Sequence, residues 1–420
     1  MSYQSGLSEG KIQASIDSAA NAGIHDAKYF AEKLAHEQGE AVARAMSSAL
    51  TPKQKLMRIS GELNKKLIER SGEIECCMCA LLTRQHVLMV GTPGTGKSLL
   101  VDSIVQAIVG CDKFEIEFHK ELERDFMFGP VSLKSMMDDE LKRLTAGYAT
   151  DAHIISIDEV FNASPAVHQQ LHGLFHERVV KEGLTKIKCK VESMFCASNH
   201  WCPEGQEANV QAFFDRLLFR KATVRVSAAK RHNLIFSSAA DRTPFFDAPL
   251  TLDELHELQA ETQQVQFSDL SSQVFMQIVD ELEKEGIKPS DRRLIQSFSA
   301  CQAMAVLNGN TEVQTDDLEI LKHVLWDDPI EQPQKCAAVV AKLANPIGAA
   351  IATRVMEIDE QVDKMKARGA DMSIMLSAKK KIQQVCDELG KMPKENQKAQ
   401  IALEYAKQQS VLASEIILSN

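Results

Sequence analysis

The sequence predicts an α/β fold: a parallel five-stranded sheet between helices, continued by an all-helical region. Three observations carry this. The octapeptide Gly91-Thr92-Pro93-Gly94-Thr95-Gly96-Lys97-Ser98 fits the G-x-x-x-x-G-K-[ST] pattern without a mismatch, with a strand-like run (86–90) before it and helix-like residues from Leu99 after it. A second apolar run, 153–157, ends in Asp158-Glu159. Strand-like and helix-like segments alternate from residue 56 to about 225, and strand signals fade beyond 227.

The glycine loop points to a nucleoside triphosphate. Glycines let the backbone curl so that its N–H groups face phosphate oxygens, and the start of the following helix adds a favourable dipole. Residues 91–99 are therefore the candidate nucleotide-binding residues, with Lys97 reaching the β- and γ-phosphates and Ser98 a ligand of Mg²⁺. The 153–157 run suits a strand buried on both faces, and acids at its C-terminal end project into the crevice where open α/β sheets hold ligands. Asp158 is the candidate for holding Mg²⁺ through water, and Glu159 the candidate base that polarises the attacking water. Strands are expected near 87–90, 114–118, 154–157, 193–197 and 222–226. The fourth is followed by Ser198-Asn199, which would put a polar side chain beside the γ-phosphate.

Composition sets limits. At 420 residues the chain exceeds one comfortable core and suggests two or three domains. Hydrophobic residues make up 44% and charged residues 25%, ordinary for a soluble protein, and aromatics at 5% lean towards helix. A net charge of −10 argues against a broad nucleic-acid-binding face, although a ring can line its pore with local positive charge. The ten cysteines are spaced as in reduced, intracellular proteins. Cys76, Cys77 and Cys79 lack a nearby fourth ligand and read as small core residues. The N-terminus lacks the charged and apolar regions of a signal peptide, and no run of 18 apolar residues occurs, so the expected location is cytoplasmic.

Residues 1–55 read as a weakly amphipathic helical extension closed by Thr51-Pro52. Residues 250–286 and 291–307 have helical spacing, with Ser290-Asp291 as an N-cap before Arg292-Arg293. Arginine in a first turn opposes the helix dipole, which hints at another use such as phosphate. Residues 347–355 read as packed helix, and Lys379-Lys380-Lys381 as a solvated face. His168, His172 and His176 fall on one helix face, a pattern of packing histidines more often than of a metal site.

Several motifs in order identify a family. Glu69-Arg70-Ser71, the glycine loop, Phe128-Gly129-Pro130-Val131-Ser132, Leu144-Thr145-Ala146-Gly147-Tyr148, Asp158-Glu159-Val160-Phe161-Asn162-Ala163, Glu177-Arg178, Ala197-Ser198-Asn199, Asp215-Arg216-Leu217 and Ser290-Asp291-Arg292-Arg293 together resemble the MoxR branch of the AAA+ ATPases, nearest its RavA (regulatory ATPase variant A) subgroup. The resemblance spans residues 56–328. It implies a P-loop AAA+ core (56–228) and an α-helical lid (229–328); residues 329–420, outside the resemblance, read as a helical C-terminal extension. It further implies ATP and Mg²⁺ as cofactors and hydrolysis to ADP and phosphate. Asn199 matches sensor 1 and Arg216 an arginine finger entering the neighbouring subunit's site, with Arg220 the second choice. Arg292 matches sensor 2, with Arg293 the alternative. A finger acting in trans implies a ring, a homo-hexamer. Residues 128–148 match the family's insertion that faces pore or client. MoxR relatives work as chaperone-like machines on a client protein with a von Willebrand factor A partner. RavA itself carries a mainly β domain beyond its lid, whereas residues 329–420 read as helical and too short for it.

Overall fold

The structure is a computed structural model that describes residues 50–138, 140–182, 185–200, 213–238, 243–366, 372–390 and 397–419. The expected N-terminal extension lies outside these residues, apart from its end. The chain forms two compact units: the first runs to Gln264 and includes Val306–Gly309, and the second comprises Val265–Ala305 and the residues from Asn310.

In the first unit, α1 (Pro52–Lys66) starts at Thr51, whose side chain accepts from Gln54 N–H while the Gln54 side chain accepts from Thr51 N–H. This reciprocal cap, with proline in the first turn, explains the sharp start. Helix α2 (Ser71–Thr83) is apolar all round because it is buried nearly all round, Cys76, Cys77 and Cys79 among its core residues. Strands β1 (Val87–Val90), β2 (Lys113–Glu117), β3 (Ile154–Asp158), β4 (Ser193–Ser198) and β5 (Phe219–Ala222) form one sheet in the order β2-β3-β4-β1-β5. Every pair in it is parallel. The inner strands β1, β3 and β4 are buried almost throughout, as expected where helices cover both faces, whereas edge strand β2 alternates half-buried with exposed residues.

Two differences from the sequence reading concern this sheet. The last strand is Phe219–Ala222 rather than 222–226, because β5 pairs with β1 from Val87↔Phe219 to Val90↔Ala222 and the ladder stops where β1 stops. An antiparallel hairpin, Val179–Glu182 with Thr185–Lys188, follows α4 (Pro165–His176), the helix after β3. Helix α3 (Lys97–Gln106) leads out of the glycine loop, α5 (Ala228–Phe236) follows β5, and α6 (Leu252–Gln264) closes the unit.

The second unit holds α7 (Asp269–Lys284), most of α8 (Asp291–Asn308), a 3-10 segment (Thr315–His323) and α9 (Gln332–Ala344). It also holds α10 (Pro346–Lys366), α11 (Met372–Leu389) and α12 (Gln397–Ser419), which share a separate apolar cluster centred on Ile358, Ile382 and Ala406. Among the described residues no helix is long and apolar enough to cross a membrane.

Candidate functional site

The site lies at the C-terminal ends of β1, β3 and β4, where the strand order reverses between β1 and its neighbours. The loop leaving β1 is pinned on both sides. Gly91 N–H donates to Ser198 O (3.0 Å) and Thr223 N–H to Val90 O (2.7 Å). A Cβ on Gly91 would stand 2.0 Å from Thr223 O, so only glycine fits there. Gly96, which caps α3, has φ +85°, the left-handed conformation that turns the chain into the helix. The first N–H groups of α3 have no carbonyl ahead of them in the helix and face the loop's concavity.

A cleft of 450 Å³ opens against this loop. Residues 93–99, Asp158, Glu159 and Asn199 all line it, so the structure gathers these predicted residues from three separate chain segments; Gly91 and Thr92 form the loop's approach. Lys97 Nζ donates to Gly91 O (2.8 Å) and reaches Asn199 Oδ1 at 3.4 Å. Asn199 Nδ2 in turn donates to Glu159 Oε1, and Asn162 Nδ2 donates to Glu159 Oε2 at 3.4 Å. A polar string thus crosses the cleft from the loop lysine to the strand-tip glutamate. Glu159 has φ +52°, a left-handed backbone that costs a non-glycine residue on the order of 1–2 kcal/mol and aims its carboxylate at Asn199.

The charges are tuned by burial. Desolvation holds the Lys97 pKa below the usual lysine range, with Asp158 and Glu159 opposing it. Desolvation likewise raises Asp158 above the ordinary carboxylate range, helped by Glu115, Glu117 and Glu159 and opposed by Lys97. Glu117 was not singled out from sequence. It ends β2 opposite Asp158 in the ladder and lines the cleft, and the Glu115-Ile116-Glu117 alternation at a strand end is the signal that marks it. An oxygen-only set of Ser98, Asp158 and neighbouring carboxylates suits a hard divalent cation, and the loop amides with Lys97 suit phosphate. The residues present therefore fit a magnesium–nucleotide, with Ser98 and Asp158 placed to hold the ion, which would neutralise phosphate charge there.

A second cavity, of 560 Å³, lies on the other side of the same loop. Its walls are Leu67, Ile68, Leu99, Val226, Leu234 and Ile235, with Arg70 and Arg231 at its polar side. An apolar slot beside a phosphate cleft has the chemistry of a base pocket. The loop residues 93–96 and Leu99 that line it were marked in the sequence, and Arg70 belongs to a family motif; Leu67, Ile68, Val226, Leu234 and Ile235 were not, because they come from chain segments on either side of the core.

The arginines separate clearly. Arg216 is half-buried in the turn before β5, its N–H donating to Phe213 O (3.0 Å), and does not line the cleft. Arg220, the alternative finger, is wholly buried in β5. It donates to Leu217 O (3.0 Å) and Phe214 O (2.8 Å), with its guanidinium 3.4 Å from the Phe214 ring centroid. A group so committed cannot enter a neighbour's site. Arg293, the alternative sensor, is also wholly buried, donating to Val324 O (3.1 Å) and standing 3.5 Å from Asp327. Arg292 stays exposed in the second unit. Arg293 N–H donates to Ser290 Oγ, as the expected N-cap requires.

His168 is a core histidine: it is buried, its Nε2 lies 2.8 Å from Val160 O, and burial lowers its pKa. The side chains of His172 and His176 lie outside the described residues, and among the described residues no group of three metal-ligating side chains occurs.

The family model for the MoxR domain of MoxR-vWA-beta-propeller ternary systems matches residues 54–260, and an AAA lid domain model matches residues 272–340. The uncharacterized protein MJ0812 of Methanocaldococcus jannaschii is 32% identical over 291 residues, covering 69% of this chain and 76% of that one. This chain belongs to the MoxR family of AAA+ ATPases. A second M. jannaschii relative, the uncharacterized protein MJ0079, is 34% identical over 275 residues, covering 65% of this chain and 70% of that one. The solved structure of a candidate ATPase from Cytophaga hutchinsonii shares the fold, with TM-score 0.55 and 17% identity over 75% of this chain and 98% of that one. The MoxR core so identified carries the cleft, and the lid match begins beyond α6.

Proposed function

We propose that this MoxR protein binds and hydrolyses ATP with Mg²⁺ and uses the cycle to remodel or mature a client protein complex. The observation that carries the hydrolytic part is the polar string from Lys97 through Asn199 to Glu159 beside Asp158. In this reading the loop amides and Lys97 bind the β- and γ-phosphates, and the slot beyond Leu99 takes the adenine. Ser98 and Asp158 orient the metal. Glu159, steered by Asn199 and Asn162, accepts the proton of the attacking water, and Asn199 places that water. Arg216 completes a neighbouring subunit's site, and Arg292 takes the sensor 2 role toward the γ-phosphate. A trans-acting finger calls for a ring, for which a homo-hexamer is the expected form.

The family model's description supports a von Willebrand factor A protein as the partner. Within the family the motif order favours a RavA-like subgroup. Residues 329–420 read as helical and too short for RavA's β domain, so its particular partner is not carried over.

The test is turnover and capture with the full chain. Glu159→Gln should bind ATP yet hydrolyse it at less than about 1% of the wild-type rate. Immobilised in ATP, that variant should retain a von Willebrand A protein or a metalloenzyme that ADP releases. Absence of ATP turnover in the wild type would overturn the hydrolytic reading. An identical partner set in both nucleotides would leave a nucleotide-gated scaffold, and retained nucleic acid a motor.

A further inference from the structure

Arg70 precedes α2 and occupies its N-cap position, yet it makes no side-chain cap for that helix. Its residue surface is 6% exposed. The guanidinium is spent on main-chain carbonyls of three separate stretches. It donates through Nη1 to Glu69 O (2.7 Å), through Nε to Thr95 O (2.9 Å) in the glycine loop, and through Nη2 to Val224 O (2.9 Å) beyond β5. Its carboxylate neighbour Glu73 stands 3.8 Å away and is buried too. Burying an arginine on carbonyls costs desolvation that a neutral packing residue would avoid, so the arrangement calls for a purpose beyond filling space.

Peptide geometry supplies one. The Thr95–Gly96 bond is trans, so its C=O and N–H point in opposite directions. Holding Thr95 O against Arg70 therefore aims Gly96 N–H away from Arg70. That amide opens α3 and belongs to the set that faces phosphate. Without the anchor, this peptide plane is free to rotate, since glycine tolerates both orientations.

The other end of the fork reaches the second cavity. Val224 leads to Arg225, Val226 and α5, which with Leu67 and Ile68 wall the slot beside the loop. The adjacent residue strengthens this attachment. Glu69, at φ +56°, accepts from Ser227 N–H and Ser227 Oγ–H, each at 2.7 Å, with Lys230 at 3.8 Å. Two consecutive side chains thus fasten the start of α2 to the phosphate loop and to the wall of the slot.

We propose that Arg70, with Glu69, is a positioning residue that fixes the Thr95–Gly96 peptide for phosphate and couples it to the residue 224–235 wall, so that the phosphate and base ends of one nucleotide are gripped cooperatively. This rests on the nucleotide reading of the site. The ligand class is a purine nucleoside triphosphate. A triphosphate without a base engages the loop alone, and a nucleoside without phosphate engages the slot alone. In the intact protein each half should favour the other.

The experiment measures, on the full chain, the Kd of Mg-ATP, Mg-tripolyphosphate and adenosine for wild type, Arg70→Lys, Arg70→Gln and Glu69→Ala, at a temperature well below each variant's Tm. Lysine keeps the charge but cannot reach three carbonyls at once. Both Arg70 variants should weaken ATP by roughly ten-fold or more, about the loss of one charge-assisted hydrogen bond. Tripolyphosphate and adenosine should each weaken less than ATP does. Glu69→Ala, whose side chain is 26% exposed, should show the same pattern more weakly. A lowered Tm with all three Kd values unchanged would make Arg70 a stabilising residue only and overturn the proposal. So would equal weakening of the three ligands. If the wild type binds neither ATP nor tripolyphosphate, the nucleotide reading itself fails, and the coupling with it.

Discussion

Residue identity decides which arginine can act at a distance. Arg220 and Arg216 are one turn of sequence apart, yet one is clamped over Phe214 and between carbonyls while the other sits at a turn. Arg220→Ala should lower unfolding stability by about 3 kcal/mol in denaturant titrations, since it leaves buried acceptors unmet and a cavity behind. Arg216→Ala should leave stability within about 1 kcal/mol of wild type, retain ATP binding and lose hydrolysis. The same logic applies to acid. Asp158 holds its proton to a higher pH than an ordinary aspartate, chiefly because it is desolvated, and a cation at the site must displace that proton. Mg²⁺ affinity, measured by titration in the presence of nucleotide, should therefore fall on acidification sooner than for an exposed carboxylate. Glu117→Gln removes one contributor and should shift that loss to lower pH; an unchanged profile would detach Glu117 from the site.

Elements differ in how far their residues announce them. The glycine loop was legible because its backbone dictates residue type: Thr223 O excludes a side chain at Gly91, and φ +85° favours glycine at position 96. The β3 tip was legible because a short, mostly apolar run that ends in two acids fits a buried strand that meets a solvated crevice. Strand β5 was placed late because Arg220-Lys221 reads as surface, and what makes that arginine a core residue is carbonyls supplied by its own preceding turn. The Val179–Glu182 hairpin was missed because Val179-Val180-Lys181-Glu182 does not alternate apolar with polar residues and a helix-like stretch precedes it directly. Beyond its place in the Glu69-Arg70-Ser71 motif, Arg70 carries no local signal of burial, since two of its three acceptors are supplied by residues 95 and 224. His86, which directly precedes β1, is a further element-scale case. Its Nε2–H donates to Phe175 O (2.9 Å) while Nδ1 accepts from Met194 N–H (3.1 Å), joining α4 to β4. Burial pushes its pKa down to about 3. The unfolded chain takes up a proton near pH 6.5 that the folded form refuses, so stability is full above pH 6.5 and is lost as pH falls from there towards 3. His86→Gln should flatten the fall of Tm between about pH 6.5 and pH 4 while costing about 1–2 kcal/mol at neutral pH.

At the scale of the whole molecule, the site as assigned lacks one catalytic charge. In the proposed assignment the cleft supplies a phosphate loop, a metal-holding acid, a base and its steering amides, but among its lining residues Lys97 alone is positively charged. The proposed assignment adds two arginines to it: Arg292, exposed, as sensor 2, and Arg216, half-buried, from a neighbouring copy. The second of these routes makes a prediction that no single-chain account shares. A subunit with Arg216→Ala has an intact cleft and a defective finger; a subunit with Glu159→Gln has a defective cleft and an intact finger. Each alone should be inactive. When mixed, an interface that pairs the first subunit's cleft with the second subunit's Arg216 is complete, and with random assembly in equal proportions such interfaces form a quarter of the total. ATP turnover in the mixture, measured after subunits have exchanged, should therefore recover to a fraction of wild type that rises and falls with the mixing ratio and peaks near equal amounts. Activity in the Arg216→Ala subunit alone would free the finger role for another residue. No recovery at any ratio, with exchange demonstrated by labelled subunits, would place every catalytic group within one chain.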